Sequence, residues 1–216
     1  MMVSFDSIPK TKNVAVLAAG PSIKENLPRI EKYIKEHSAL VIASNYHYGI
    51  KSDYTCIGGF DKVEDLLKTP DTGTFVFLPQ VKGTVERKTM RFKCLSKPMT
   101  KTNRILISDK GVINHEPYSA GFSAILLATF ARPVEILISG FDGPKKNGKL
   151  IEYEHFNKEK IIDKKNSAAH RRQKKFVRYF VRMLLPFVKS RGIRMLAFDN
   201  DPLRGASKRR MRIKEP

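Results

Sequence analysis

The stretch Val14-Ala15-Val16-Leu17-Ala18-Ala19-Gly20-Pro21-Ser22 constrains this chain more than any other. An apolar run leads straight into a glycine turn, and a charged helical pattern follows. A buried strand of this kind delivers the backbone to the edge of a parallel sheet, where Gly20 lets a ligand come close. Ser22 is placed to cap the next helix, whose unpaired N–H groups suit a phosphate. The pattern is neither GxGxxG nor GxxxxGK followed by Ser or Thr, so it marks a strand–turn–helix start without naming a nucleotide. The same three elements also build a sheet that binds nothing.

The remaining chain repeats that alternation. Ile23, Leu27, Ile30 and Ile34 predict a helix over about Ile23–Glu36. Pro28 interrupts it and leaves a start near Leu27, with Asn26 as cap, as a second possibility. Strands are predicted at Ala39–Ala43, Tyr54–Ile57 and Thr74–Leu78, with a short helix over Asp61–Leu67. Pro79–Thr102 is the least regular stretch, and Arg104–Ser108 reads as a further strand. Gly121–Phe130 is an almost wholly apolar helix, the kind that packs on most of its surface. Val134–Ile138 is a central strand. A charged insertion follows at 143–167, then a long basic amphipathic helix at Ala168–Val188, a last strand at Arg191–Ala197 and a basic tail at 204–216. Met1–Asn13 is polar and reads as a short arm. The expected architecture is one Rossmann-like α/β domain over 1–216. Its sheet is mainly parallel with helices on both faces, and the insertion forms a small lid.

Charge narrows the partners. The net charge is +20, and from Gly143 to Pro216 22 Lys and Arg stand against 7 Asp and Glu, which places +15 of it in the last third. Solubility needs charge but not this asymmetry. A polyanion explains it better, whether nucleic acid, an anionic membrane surface or an acidic glycan. The expected contact residues are Arg171, Arg172, Lys174, Lys175 and Arg178 of the long helix, with Lys208, Arg209 and Arg210 of the tail. Cys56 and Cys94 fit neither a zinc knuckle nor a redox pair, and Cys56 lies in an apolar strand as a buried free thiol. No apolar run reaches membrane-helix length and the first residues are not signal-like, so the expected location is inside a cell, with peripheral attachment at the inner membrane face or a virus-infected host cell as variants.

Polar residues collect just past the predicted strands: Gly20, Pro21 and Ser22, then Asn45, Gly58 and Gly59, Gly140 and Asp142. In a parallel sheet these ends share one edge. His170 opens a helix crowded with Arg and Lys, a field that favours the neutral imidazole a general base requires. A surface histidine on a charged face would look the same. No HExxH motif, matched Cys/His cluster or GxSxG elbow occurs, so no metal site is expected and serine hydrolysis has no support.

Four ordered blocks together resemble the bacterial lipooligosaccharide sialyltransferases, Rossmann-like enzymes that use a cytidine-monophosphate sugar. They are Leu17–Ile23, Ala43–Tyr48, Tyr118–Gly121 continuing through Ile138–Asp142, and Ser167–His170; Asn200–Leu203 is a weaker fifth. The resemblance implies an inverting, metal-independent transfer with a CMP- or UDP-linked sugar donor as substrate and no resident cofactor. It implies that Gly20, Pro21 and Ser22 cradle the nucleotide and that Asn45 holds its phosphate or ribose side; Gly58, Gly59, Gly121 and Gly140 are further candidates for the nucleotide site. His170 would be the general base, Tyr153 of the lid would support the departing phosphate, and Asp142 closes the Gly-x-Asp block as a candidate catalytic carboxylate. The chain departs from the family at Ala19, where an asparagine is usual, at Gly143-Pro144 in place of a second lid tyrosine, at Gly58-Gly59 in place of an asparagine, and near Pro117 in place of an acceptor-binding arginine. The acceptor is expected to be an anionic membrane glycolipid or viral DNA carrying hydroxylated bases, and a homo-oligomer is compatible with either. The Gly-Pro-Ser turn is also similar to the archaeal-type pterin diphosphokinases, which would need ATP and Mg²⁺. A non-enzymatic nucleic-acid binder would account for the charge alone.

Overall fold

The computed structural model describes residues 1–20, 22–46, 48–60, 63–69, 72–83, 85–95, 105–114, 119–141, 175, 177–198 and 216, and the backbone of 145–146, 149–154 and 158–161. In chain order the strands are β1 (Asn13–Leu17), β2 (Leu40–Ser44), β3 (Tyr54–Ile57), β4 (Thr74–Phe77), β5 (Thr89–Arg91), β6 (Lys93–Cys94), β7 (Val112–Ile113), β8 (Glu135–Ser139), β9 (Lys145–Lys146), β10 (Lys149–Glu154), β11 (Lys158–Ile161) and β12 (Arg194–Ala197). The α-helices are α1 (Ser22–His37), α2 (Val63–Lys68), α3 (Ala120–Ala128) and α4 (Leu185–Ser190).

Seven strands form one sheet in the order β12-β8-β1-β2-β3-β4-β5, and every neighbouring pair is parallel. Such a sheet is covered on both faces, which is why its strands read as apolar runs rather than alternating ones. β2 and β8 are buried at all five positions. On one face, Ile23, Ile30 and Tyr33 of α1 pack against Ala15, Leu17, Val41, Leu137 and Leu196. On the other, α3 and the end of the long helix cover Val14, Val16, Ile42, Ile136 and Ile138. All nine residues of α3 are buried, as expected of a helix apolar all round. The mainly parallel, doubly covered α/β sheet is the expected one.

α1 runs from Ser22 to His37, in line with the helix expected over Ile23–Glu36, and continues through Pro28 rather than starting near Leu27. A proline inside a helix costs about 3 kcal/mol. Ile23 and Ile30, fully buried on either side of it, each return about 1.5–3 kcal/mol, so the helix runs on. No strand forms over 105–108. Ile107 makes a single bridge to Ile113, and Leu106 N–H donates to Asn114 Oδ1 at 2.9 Å, so the chain turns back on itself. The irregular stretch contributes β5 to the sheet edge. The N-terminal arm is anchored rather than free: Val3 N–H donates to Thr89 O, Thr89 N–H donates to Met1 O, and Phe5 and Ile8 are buried. The long helix holds a π-helical turn at Phe180–Leu184. Pro186 cannot donate to the carbonyl four residues back, and the wider turn lies immediately before it. The charged insertion carries a separate antiparallel sheet, β11-β10-β9. Among the described residues no helix is long and apolar enough to cross a membrane.

Candidate functional site

β1 pairs with β2 on one side and β8 on the other. The chain runs outward from β1 through β5 and returns to β8, so strand order reverses between β1 and β8. The loops beyond those two carboxyl ends diverge and leave a crevice, the usual ligand position of an open α/β sheet. A cavity of about 200 Å³ lies there. Ala18, Ala19 and Gly20 form its β1 side and Ser44 and Asn45 its β2 side. Gly140 and Phe141 close it beyond β8, and Ser119, Ala120 and Gly121 open α3 into it.

α3 presents its N-terminus to this crevice. Ser119 caps it, its Oγ accepting from Phe122 N–H at 3.2 Å, and no acidic side chain occupies the first turn. The amides of Ala120 and Gly121 lie in the turn that has no intrahelical acceptor. α1 has Glu25 in its own first turn, so α3 offers the less compensated positive end. Gly121 is required by close packing, since a Cβ there would sit 2.9 Å from Phe141 Cε1.

The loops are laced together. Asn45 Oδ1 accepts from Gly58 N–H at 3.0 Å, and Asn45 N–H donates to Cys56 O at 2.9 Å, which joins β2 to β3. Tyr48 OH donates to Ala19 O at 3.0 Å, which joins the β2 loop to the β1 loop. Gly20 N–H donates to Gly140 O at 2.9 Å, which joins β1 to β8. Asn45 and Tyr48 hold left-handed backbone, φ 60° and 52°. Two non-glycine residues in that region within four positions mark a loop held against its own preference, a feature that concentrates at ligand sites.

Of the residues expected from sequence, Gly20, Asn45, Gly121 and Gly140 meet in this cavity. Gly20 contributes room rather than a donor, because its amide is bonded to Gly140. Gly58 touches the group through Asn45, and Gly59 is half-buried beside it. Ser22 is buried at the start of α1. Lys175 and Arg178 are exposed on the long helix. Tyr153 falls in β10, where the backbone alone is described. Pro21, Asp142, His170, Arg171, Arg172, Lys174, Lys208, Arg209 and Arg210 lie outside the described residues. Ser44, at the polar end of the second predicted strand, lines the cavity as well; Ser119 and Phe141 also line it and Tyr48 ties its loops, roles that composition and spacing did not assign.

Among the described residues the lining holds no ionisable side chain; its polar side chains are Ser44, Asn45 and Ser119. Cys56 is buried behind it, and burial pushes its thiol far up, so it stays protonated. No group of three or more His, Cys, Asp or Glu able to hold a metal is found among the described residues. The described lining therefore supplies no general acid or base of its own.

Comparison with protein-family models finds no match, and comparisons with curated proteins and with solved structures find no significant match either. The fold and the crevice therefore stand by themselves. They give a Rossmann-like arrangement compatible with nucleotide binding.

Proposed function

We propose that the chain is a nucleotide-dependent transferase that passes a sugar from a nucleotide donor to a polyanionic acceptor. The observation that carries this is the crevice at the switch point. Small apolar residues make a slot for a flat ring, and the N-terminus of α3, with no acidic side chain in its first turn, suits a phosphate. At about 200 Å³ the cavity takes part of a nucleotide, below the usual 300–1,000 Å³ of whole-ligand pockets. The sugar would extend toward the segment after Phe141.

In the proposed reaction the acceptor hydroxyl attacks the anomeric carbon and His170 takes the hydroxyl proton. The bond from that carbon to the nucleotide phosphate oxygen breaks, and its electron pair leaves with the nucleotide. Tyr153, Arg171 and Arg172 would stabilise the departing charge, and Asp142 is the carboxylate nearest in sequence to the crevice.

The basic helix supports a polyanionic acceptor. No acidic residue occurs between Asp163 and Asp199, and Lys175, Arg178 and Arg182 stand exposed at helical spacing. One observation favours DNA over a glycolipid. Phe180, Leu184, Leu185 and Val188 are all consumed by the core, so the apolar stripe of this helix is not left for a membrane.

A thermal-shift screen with CMP, UDP, GDP and ATP, with and without Mg²⁺, tests the donor. A ligand at a hundredfold its Kd adds about 2.7 kcal/mol, roughly 5–11 °C for a domain of this size. CMP or UDP acting without metal supports the proposal. ATP acting only with Mg²⁺ moves the chain to diphosphate transfer, and silence from all four overturns the nucleotide reading.

A further inference from the structure

A second cavity, of about 140 Å³, lies at the opposite edge of the sheet. Four distant segments meet there. Arg132 follows the turn that ends α3, just before β8, and Arg191 follows α4, just before β12. Lys10 and Asp6 come from the N-terminal arm, and Asp109 from the turn leading to β7.

Three cations and two carboxylates line this cavity, and they are not equally committed. Lys10 Nζ donates to Phe130 O at 2.8 Å, so it closes the carboxyl end of the α3 turn. Asp6 is held at the arm's own cap, where Ser4 Oγ donates to its Oδ2 at 3.4 Å. The two arginines are different. Among the described residues neither Arg132 nor Arg191 has an ion-pair partner within 4 Å. Arg191 rests on the Phe187 ring, 4.6 Å from its centroid, which fixes the guanidinium without neutralising it. Partial burial pulls the Arg191 guanidinium below its ordinary value; Asp109 opposes that shift and the Arg132 charge adds to it. Both guanidiniums line this one cavity.

Arg132 adds a second oddity. Its backbone is left-handed, with φ 51° and ψ 49°. Glycine is the residue that meets this geometry without cost, and helices commonly end on one. A long charged side chain stands where the fold alone favours none.

From these juxtaposed arginines we infer that the cavity binds a phosphate group, held by the guanidiniums of Arg132 and Arg191, with Asp109 receiving a hydroxyl of the same ligand. Two planar forks facing one small polar cavity match the oxygens of a phosphate. The volume admits one such group with its attachment, not a nucleotide. The phosphate is carried either by a small phosphorylated polyol or by a nucleic-acid backbone. The inference is independent of the nucleotide crevice, which lies at the other edge of the sheet.

The test is an NMR titration of the arginine Nε–Hε resonances with inorganic phosphate, at ionic strength held constant with sodium chloride. Arg132→Gly and Arg191→Gln assign the two signals. Both signals should move and saturate with phosphate, and each variant should weaken binding at least tenfold. Arg132→Gly is a fair probe because glycine suits the backbone there, so its loss of binding does not come from strain. Far-UV circular dichroism of both variants checks that they are folded. Duplex DNA added at saturating phosphate separates the sources. Displacement of phosphate assigns the site to a nucleic-acid backbone, and retention assigns it to a small phosphorylated ligand. Signals that drift linearly without saturating, or that saturate alike in the folded Arg132→Gly and Arg191→Gln proteins, overturn the inference.

Discussion

Replacing Gly140 with alanine tests whether the crevice is built by close approach of the β1 and β8 loops. Gly140 has φ 79°, and a Cβ there would overlap the Ala18 carbonyl oxygen and come within 2.9 Å of Ile23 Cδ1. Left-handed backbone costs an alanine about 1–2 kcal/mol. Overpacking against fixed backbone adds about 1–3 kcal/mol, so the total is about 2–5 kcal/mol. Gly192 supplies the control. Its φ is 73°, but a Cβ would meet nothing within 4 Å, so Gly192→Ala carries the backbone part alone. The difference between the two variants isolates the overlap. The chain has no tryptophan, so urea unfolding followed by far-UV circular dichroism is the assay. Gly140→Ala should also shrink the thermal shift given by the nucleotide, because Gly140 O holds Gly20 N–H. If Gly140→Ala and Gly192→Ala agree within about 0.5 kcal/mol, the two loops do not meet as described and the crevice argument fails.

Asn45→Ala should cost about 1–3 kcal/mol by leaving the Gly58 N–H without Asn45 Oδ1; Asn45→Gly should be the milder variant because it relieves the left-handed φ, and equal losses in urea melts would argue against that strain. Stability should fall in alkali: burial raises the Cys56, Tyr33, Tyr54 and Tyr179 groups, so the folded chain keeps protons that the unfolded chain releases from about pH 9–10 upward. Stability is thus full below that window and falls above it, by about 1.4 kcal/mol per pH unit for each such proton; urea midpoints at pH 8, 9, 10 and 11 give the slope, and a flat profile would contradict the burial. His170→Ala should cut turnover by about 10²–10⁴ while nucleotide binding holds, and unchanged turnover removes His170 from the mechanism. Reversing Lys208, Arg209, Arg210, Arg212 and Lys214 should weaken duplex binding in fluorescence anisotropy and flatten its salt dependence; liposome flotation in place of DNA binding would select the glycolipid.

The sheet was legible because burial on both faces leaves no alternation to decode. Val14–Leu17, Ile42 and Ile136–Ile138 read as strands wherever they stand in the chain. Among the described residues the strands expected in the main sheet form, except where local polar bonds outweighed an apolar pattern. Ile105-Leu106-Ile107 looks like a strand, but Asn114 Oδ1 takes the Leu106 amide and the sheet edge goes to Thr89–Arg91 instead. Pro28 raised a start near Leu27 as a second possibility, but Ile23 and Ile30 packing on each side keeps the helix that the apolar spacing predicts. Phe5 and Ile8 lay among polar residues with no period to mark them, and their burial depends on the ring of Phe92, distant in sequence, which lies 4.9 Å from the Phe5 ring.

The crevice was half legible, and the division follows the chemistry. Glycines leave a trace in sequence, so Gly20, Gly121 and Gly140 could be picked out before their surroundings were known; at Gly121 and Gly140 close approach crowds out a Cβ. The groups that would hold a phosphate are largely backbone amides of Ala120 and Gly121, and every residue but proline carries such an amide. Their meaning comes from the direction of α3 and from Ser119, which caps Phe122 and leaves those two amides at the mouth. Tyr48 shows the same limit from the other side. Its hydroxyl reaches Ala19 O from left-handed backbone, and nothing in a Tyr-x-Tyr triplet announces that. A binding surface made of backbone is therefore read from topology, whereas His170 is a side chain whose chemistry is explicit in sequence and whose role rests on turnover. The two halves of the proposed site call for different experiments: ligand binding for the crevice, and kinetics for the histidine.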